Sequence, residues 1–221
     1  MKITDLSTQT YSVGEIQDFA SKLGPLGVKK LLNLIYLAYI RLNESGKIKI
    51  QMNENEITEE LYNELLGIWF ENGDFSIRPI HEKPIKKEGK GPGKSPAIDF
   101  CFRDEWDSHA YFGSECKKLE NSNKRRFDDY IVGGVCRYLS NTKNKKCSEG
   151  SLISYVVNGN MLKIVSEIKS RVDNVHCFLK MERTDEIGGF SEQYRSSHAR
   201  ITNKSPFLIY HLFFAFTHTS D

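Results

Sequence analysis

Cysteine is scarce and badly spaced for any cross-linking or zinc role. The chain of 221 residues has five, at Cys101, Cys116, Cys136, Cys147 and Cys177. The number is odd, with no CxxC pair and no Cys/His cluster at zinc-ligand spacing. A disulfide-stapled secreted scaffold is therefore disfavoured, and a reduced, cytoplasmic protein is expected. Long hydrophobic runs are missing too. The most apolar stretch, Leu31 to Leu42, falls short of the roughly 20 residues that span a bilayer and contains Asn33 and Tyr36, so no membrane association is expected. Met1 to Tyr11 is polar, which predicts no signal peptide. A formal net charge of +2 gives no global attraction to nucleic acid, and any electrostatic footprint must be local. Internal repeats, low-complexity tracts, a Walker loop, a Rossmann fingerprint and a Ser/His/Asp elbow are all absent.

What remains is an ordinary globular composition, 39% hydrophobic and 11% aromatic, enough for one substantial core with an added helical segment. Residues 1–12 read as a lead-in, and a short helix is expected from Val13 to Leu23, ended by Gly24-Pro25. Val28 to Leu42 predicts a helix apolar on more than one face, either a core helix or one that docks a partner. Lys47 to Met52 suggests a short strand, and Glu56 to Phe70 a helix stopped at Asn72-Gly73. Strands are expected over Phe75–His81, Ala97–Phe102 and Ala110–Lys117, with a polar turn from Arg103 to Ser108. A helix follows over Asn121–Ser140, then a strand over Ser151–Val157, a helix over Met161–Val172 and a strand over Cys177–Met181. Arg183 to Ser197 reads as an exposed polar loop, and Phe207 to Phe216 as a final strand. Alternating strands and helices predict an α/β fold, a central mixed β-sheet flanked by helices. Residues 1–50 would form an N-terminal helical segment packed on a core of residues 51–221.

The chemistry gathers between Ala97 and Lys117, AIDFCFRDEWDSHAYFGSECK. In a strand, side chains two apart share a face, so Glu115 and Lys117 project together while Phe112, Ser114 and Cys116 point the other way. If Ile98, Phe100 and Phe102 pack into a core, Asp99 emerges on the opposite face and can meet Glu115 across the sheet. Two carboxylates facing one point repel each other unless a hard cation lies between them, and Mg²⁺, with Mn²⁺ as an alternative, favours such oxygen donors. That arrangement suits phosphodiester hydrolysis, with Lys117 orienting a water or stabilising developing charge. The residues alone also allow a plain cross-strand ion pair of Glu115 with Lys117.

Asp99, Glu115 and Lys117 resemble the PD-(D/E)xK motif of the restriction-endonuclease-like nucleases, with the proline at Pro96, three residues before the aspartate. The resemblance implies a restriction-endonuclease-like core, metal ligation by Asp99 and Glu115, and Lys117 as the catalytic lysine. It also implies an acidic contribution from an early helix, for which Glu56 and Glu60 are the favoured residues, ahead of Glu64. A helix dipole would favour acidic residues in a first turn in any case.

Local basic clusters supply the nucleic-acid footprint. The loop KPIKKEGKGPGKSP leads into Asp99, and its Lys86, Lys87 and Lys90 can follow a phosphate backbone or simply be solvated. In the helix after Lys117, Lys124, Arg126, Tyr130 and Arg137 are candidate phosphate contacts. Gly133-Gly134 within it costs roughly 1 kcal/mol per glycine relative to alanine and signals close approach to a neighbour. His198 reads as a surface residue and His211 as a satisfied core one. The expected function is metal-dependent endonuclease action on DNA, with RNA as an alternative substrate. A homodimer or a targeting partner protein is anticipated, by analogy with bacterial restriction and anti-phage effectors. The competing expectation is a non-catalytic nucleic-acid-binding or assembly subunit.

Overall fold

The computed structural model describes residues 19–72, 77–84, 97–104, 111–121, 123–140, 148–199 and 206–216. The expected helix over residues 13–23 therefore lies largely outside the described residues, as do Lys86, Lys87 and Lys90. Two helices come first. α1 (Phe19–Glu44) bends at Gly24, whose φ of 66° and ψ of 176° break the helical path just before Pro25. Glycine adopts that left-handed φ without a Cβ penalty, and proline then fits the first turn of the run that follows. Leu31, Leu32, Ile35, Ala38, Tyr39 and Leu42 are buried, so this is a core helix.

α2 (Glu54–Asn72) starts with a reciprocal cap. The Glu56 amide donates to Asn53 Oδ1 at 3.0 Å, and the Asn53 amide donates to Glu56 Oε2 at 2.7 Å. Two backbone donors of the first turn are thereby satisfied. Ile57, Leu61, Leu65 and Ile68 form the buried stripe. The expected strand over residues 47–52 is not formed. The backbone there turns, and the carbonyls of Ile50 and Met52 accept from the Lys118 ammonium rather than from a neighbouring strand.

The sheet comprises β1 (Ile77–Pro84), β2 (Ala97–Asp104), β3 (Tyr111–Glu120), β4 (Glu149–Asn158), β5 (Phe178–Arg183), β6 (Gln193–His198) and β7 (Phe207–Ala215). Their order is β1-β2-β3-β4-β7-β6-β5. β3, β4 and β7 run parallel at the centre, and the outer pairings are antiparallel. The central strands are buried along almost their whole length, as expected where both faces carry helices. α1 and α2 cover one face over Phe100, Phe102, Phe112, Tyr155 and Phe214. α5 (Met161–Asp173) and the helical segment after β3 cover the other, over Leu119, Leu152, Val156 and Phe213. The coarse α/β expectation, a mixed sheet flanked by helices, thus holds. No helix among the described residues is long and apolar enough to cross a membrane.

Two further expectations are corrected. Part of the supposed loop over residues 183–197 is β6, a strand whose inward residues are polar. Gln193 donates to the carbonyls of Ile187 and Phe190, and Ser196 lies between two histidines. Polar groups satisfied inside the sheet hide the alternation that marks a strand. The helix expected over Asn121–Ser140 is in fact α3 (Lys124–Asp129), a π-helical turn (Tyr130–Val135) and α4 (Cys136–Ser140).

Candidate active site

β2 and β3 pair only from Phe100 opposite Ser114 to Arg103 opposite Tyr111. Beyond that register the two strands part, and the amides of β3 that would have bonded to β2 need other acceptors. Side-chain carboxylates provide them. Asp99 Oδ2 accepts from the Cys116 amide at 2.6 Å, and Glu54 Oε2 accepts from the Lys118 amide at 2.9 Å. The fork between the strands is therefore walled by two carboxylates, one from β2 and one from the start of α2.

Lys117 stands within this fork. Its ammonium donates to Glu54 Oε1 at 3.0 Å, Glu115 Oε1 at 3.2 Å and the Cys116 carbonyl at 2.7 Å. Three donors meet three acceptors, so the ammonium is saturated. On the helix side, Arg137 of α4 forms a charge-assisted hydrogen bond with Glu115 Oε1. The π turn runs beside the lysine: a Cβ on Gly133 would make an ordinary contact 3.6 Å from Lys117 Cε, whereas one on Gly134 would lie 2.9 Å from Leu152 Cδ1. Gly134 therefore marks a close approach, to Leu152 of the sheet, while Gly133 does not.

Burial sets the electrostatics. Glu115 is 1% exposed and Lys117 is 8% exposed. Desolvation and then the charge of Asp99 push the Glu115 carboxyl up to about 7, against the pull of Lys117 and Arg137. Asp99 is likewise raised, chiefly by burial. Burial works to lower Lys117, but Glu115, Glu54 and Asp99 outweigh it and hold the ammonium above its ordinary range. Two cations face three carboxylates, which leaves one negative charge if all are ionised.

Asp99, Glu115 and Lys117 are thus brought together, and Arg137 joins them. Glu115 and Lys117 share a face, opposite Phe112 and Cys116, as the strand period requires. Ile98 departs from the expected apolar face. It packs in the core opposite to that of Phe100 and Phe102, and its Cδ1 lies 2.9 Å from where a Gly113 Cβ would be.

The favoured early-helix glutamates have partners elsewhere. Glu56 is engaged in the α2 cap, while Glu60 and Glu64 face Lys47 at 3.9 and 3.2 Å. The carboxylate that reaches the fork is Glu54. The pattern Asn53-x-x-Glu56 could have revealed this, because a capping box starts the helix at residue 54 and occupies Glu56. Tyr130 is engaged elsewhere as well. It is fully buried, with its hydroxyl 2.6 Å from His211 Nδ1, and offers nothing to a phosphate. Lys124 and Arg126 begin the helical segment, roughly 16–20 Å of helix away from Arg137, and Arg126 acts on Glu120. Lys124 is exposed and Arg126 half-buried.

As oxygen donors for a cation, the fork offers Asp99, Glu115 and Glu54. Among the described residues no group of three or more His, Cys, Asp or Glu is arranged to hold a metal ion. Comparison with known proteins finds no matching family model, no matching curated protein and no matching solved structure.

Proposed function

We propose that the fork between β2 and β3 is the active site of a metal-dependent phosphodiesterase acting on nucleic acid, with DNA as the favoured substrate. The single observation that carries this reading is the convergence of Asp99, Glu115 and Glu54 on the buried Lys117. Three carboxylates around one lysine at a parted strand edge are costly to maintain, and functional sites are where such cost is tolerated. The donors are all oxygens, which fits Mg²⁺ or Mn²⁺, ions commonly held by one or two carboxylates together with substrate phosphates and waters. Asp99 and Glu115 are the proposed ligands, with Glu54 as the third carboxylate. A bound divalent ion would supply charge stabilisation at the phosphoryl oxygens and a more acidic water. Lys117, held by Glu54 and Glu115, keeps its proton and presents a fixed positive charge to a developing phosphorane. Arg137, with a quarter of its side chain exposed, offers a guanidinium to a phosphate next to Glu115.

A restriction-endonuclease-like core is part of this proposal. The mixed sheet with helices on both faces supports it, together with the Asp99, Glu115-Cys116-Lys117 pattern. Lys86, Lys87 and Lys90, which precede Asp99 in the sequence, and the exposed Lys124 are the further proposed nucleic-acid contacts. A role in restriction or anti-phage defence, a cytoplasmic location and a homodimer or targeting partner belong to the same proposal. A second reading, a non-catalytic nucleic-acid-binding subunit, draws on a different feature of the fork. Each of its carboxylates already accepts from an amide or a cation.

Labelled duplex DNA, single-stranded DNA and RNA of one sequence, each incubated with Mg²⁺, Mn²⁺ or EDTA, separate these readings. The nuclease reading predicts metal-dependent cleavage of at least one substrate and its loss in Asp99→Asn. Salt-sensitive binding without cleavage under any metal would favour the binding subunit.

A further inference from the structure

Lys118 follows the motif lysine and points away from it, as successive strand residues must. It is 5% exposed, and its ammonium is saturated in its own right. Nζ donates to the Ile50 carbonyl at 2.6 Å and the Met52 carbonyl at 2.9 Å, and forms an ion pair with Glu120 at 3.0 Å. Ile50 and Met52 belong to the turn that delivers the chain to Asn53, the cap of α2. The amide of the same residue donates to Glu54 Oε2. Lys118 thus bears on Glu54 in two ways: its backbone amide holds the carboxylate directly, and its side chain holds the turn that leads into the helix. The other oxygen of that carboxylate is the one that meets Lys117.

We propose that Lys118 is a positioning residue for the site, acting through Glu54 to hold the Lys117 ammonium in the fork. The inference rests on the nuclease reading above but makes a separate claim, that Lys118 and Glu54 act as one unit. A lysine is suited to this because a compact ammonium can serve three divergent acceptors, whereas the planar fork of arginine cannot meet the same three oxygens. Partners that orient a functional group from behind typically change activity about 10–100-fold when removed, without touching substrate.

The test is a cycle of Lys118→Met, Glu54→Gln and the double variant, with Lys118→Arg alongside. Plasmid-cleavage kinetics and urea unfolding are measured for all. Lys118→Met is expected to lower kcat about 10–100-fold with KM unchanged, and adding Glu54→Gln should cost little more. Lys118→Arg should lose less. Wild-type kcat in Lys118→Met, a loss confined to KM, or losses that multiply in the double variant would overturn the proposal. If the wild type cuts nothing, the nuclease reading fails, and the Lys118 claim is read from unfolding alone. The urea-midpoint shift caused by Glu54→Gln should then vanish in the Lys118→Met background, and an undiminished shift overturns it. Should Lys118→Met not fold, Lys118→Arg carries the same comparisons, and wild-type kcat with an additive midpoint shift contradicts the assignment.

Discussion

Glu54 and Glu56 are two residues apart on one helical turn, yet their carboxylates have unrelated tasks. Glu56 closes the cap with Asn53, while Glu54 bridges the Lys118 amide and the Lys117 ammonium. Substitution should separate them. Glu54→Gln is expected to reduce metal-dependent cleavage about 10–100-fold with a modest change in stability. Glu56→Gln should leave cleavage near wild type and cost at most about 1 kcal/mol through the weakened cap. Initial cleavage rates and urea midpoints for the pair check this, and equal loss of activity in both would contradict the assignment. At this scale much of the site was legible. Glu115 and Lys117 share a face as strand alternation requires, and Asp99 comes from the motif that the three residues resemble, since Ile98 breaks the alternation on its strand. Glu54 was legible only by elimination: the Asn53-x-x-Glu56 capping box occupies Glu56, but nothing local says that the Glu54 carboxylate turns toward the sheet. That choice depends on where β2 and β3 part, a tertiary event at Phe100 and Ser114.

Among the elements, the helical segment after β3 is where local preference yields to packing. The π turn over Tyr130–Val135 seats Gly133 on Lys117 and Gly134 on Leu152, and such turns recur at functional sites. The two glycines should respond differently to a methyl group. A Cβ on Gly133 would make an ordinary 3.6 Å contact with Lys117 Cε, whereas one on Gly134 would come within 2.9 Å of Leu152 Cδ1 and 3.1 Å of Cδ2 in a fully buried side chain. Gly133→Ala is therefore expected to be neutral or stabilising by up to about 1 kcal/mol from helix propensity. Gly134→Ala should destabilise by about 1–3 kcal/mol through overpacking. Denaturant unfolding of both variants decides it, and a reversed order would contradict the packing described. The glycine pair announced a close approach in sequence, which Gly134 makes, but periodicity carries no sign of a π turn. β6 was missed for a related reason, since its buried serines and glutamine look like loop residues until their partners are known.

Across the whole molecule, a buried polar chain ties the second helical layer to the sheet. The Tyr130 hydroxyl lies against His211, Ser196 lies between His211 at 2.7 Å and His198 at 2.8 Å, and both histidines are fully buried. Burial depresses His211 to about 3, helped by His198, and His198 to about 4. Their ordinary value is 6.5, so the unfolded chain binds more protons than the folded one between these limits. The histidines' contribution to stability is accordingly complete above about pH 6.5 and lost as pH falls toward 4, opposite in sign to that of the raised Asp99 and Glu115 carboxyls. The urea midpoint of the wild type should fall over that range more steeply than that of His211→Gln, and parallel curves would contradict the effect. The coarse α/β architecture could be read from alternating strands and helices. The strand order could not, because β7 joins β4 across the intervening β5 and β6, a pairing with no local signature.

The most direct measurement of the central claim is incubation of supercoiled plasmid with the purified wild type and with Lys117→Ala of verified fold, in Mg²⁺ or Mn²⁺ and in EDTA. A metal-dependent phosphodiesterase at the β2–β3 fork predicts nicking or linearisation by the wild type that disappears with EDTA and in the variant. Equal cleavage by Lys117→Ala, or cleavage that persists in EDTA, would contradict it.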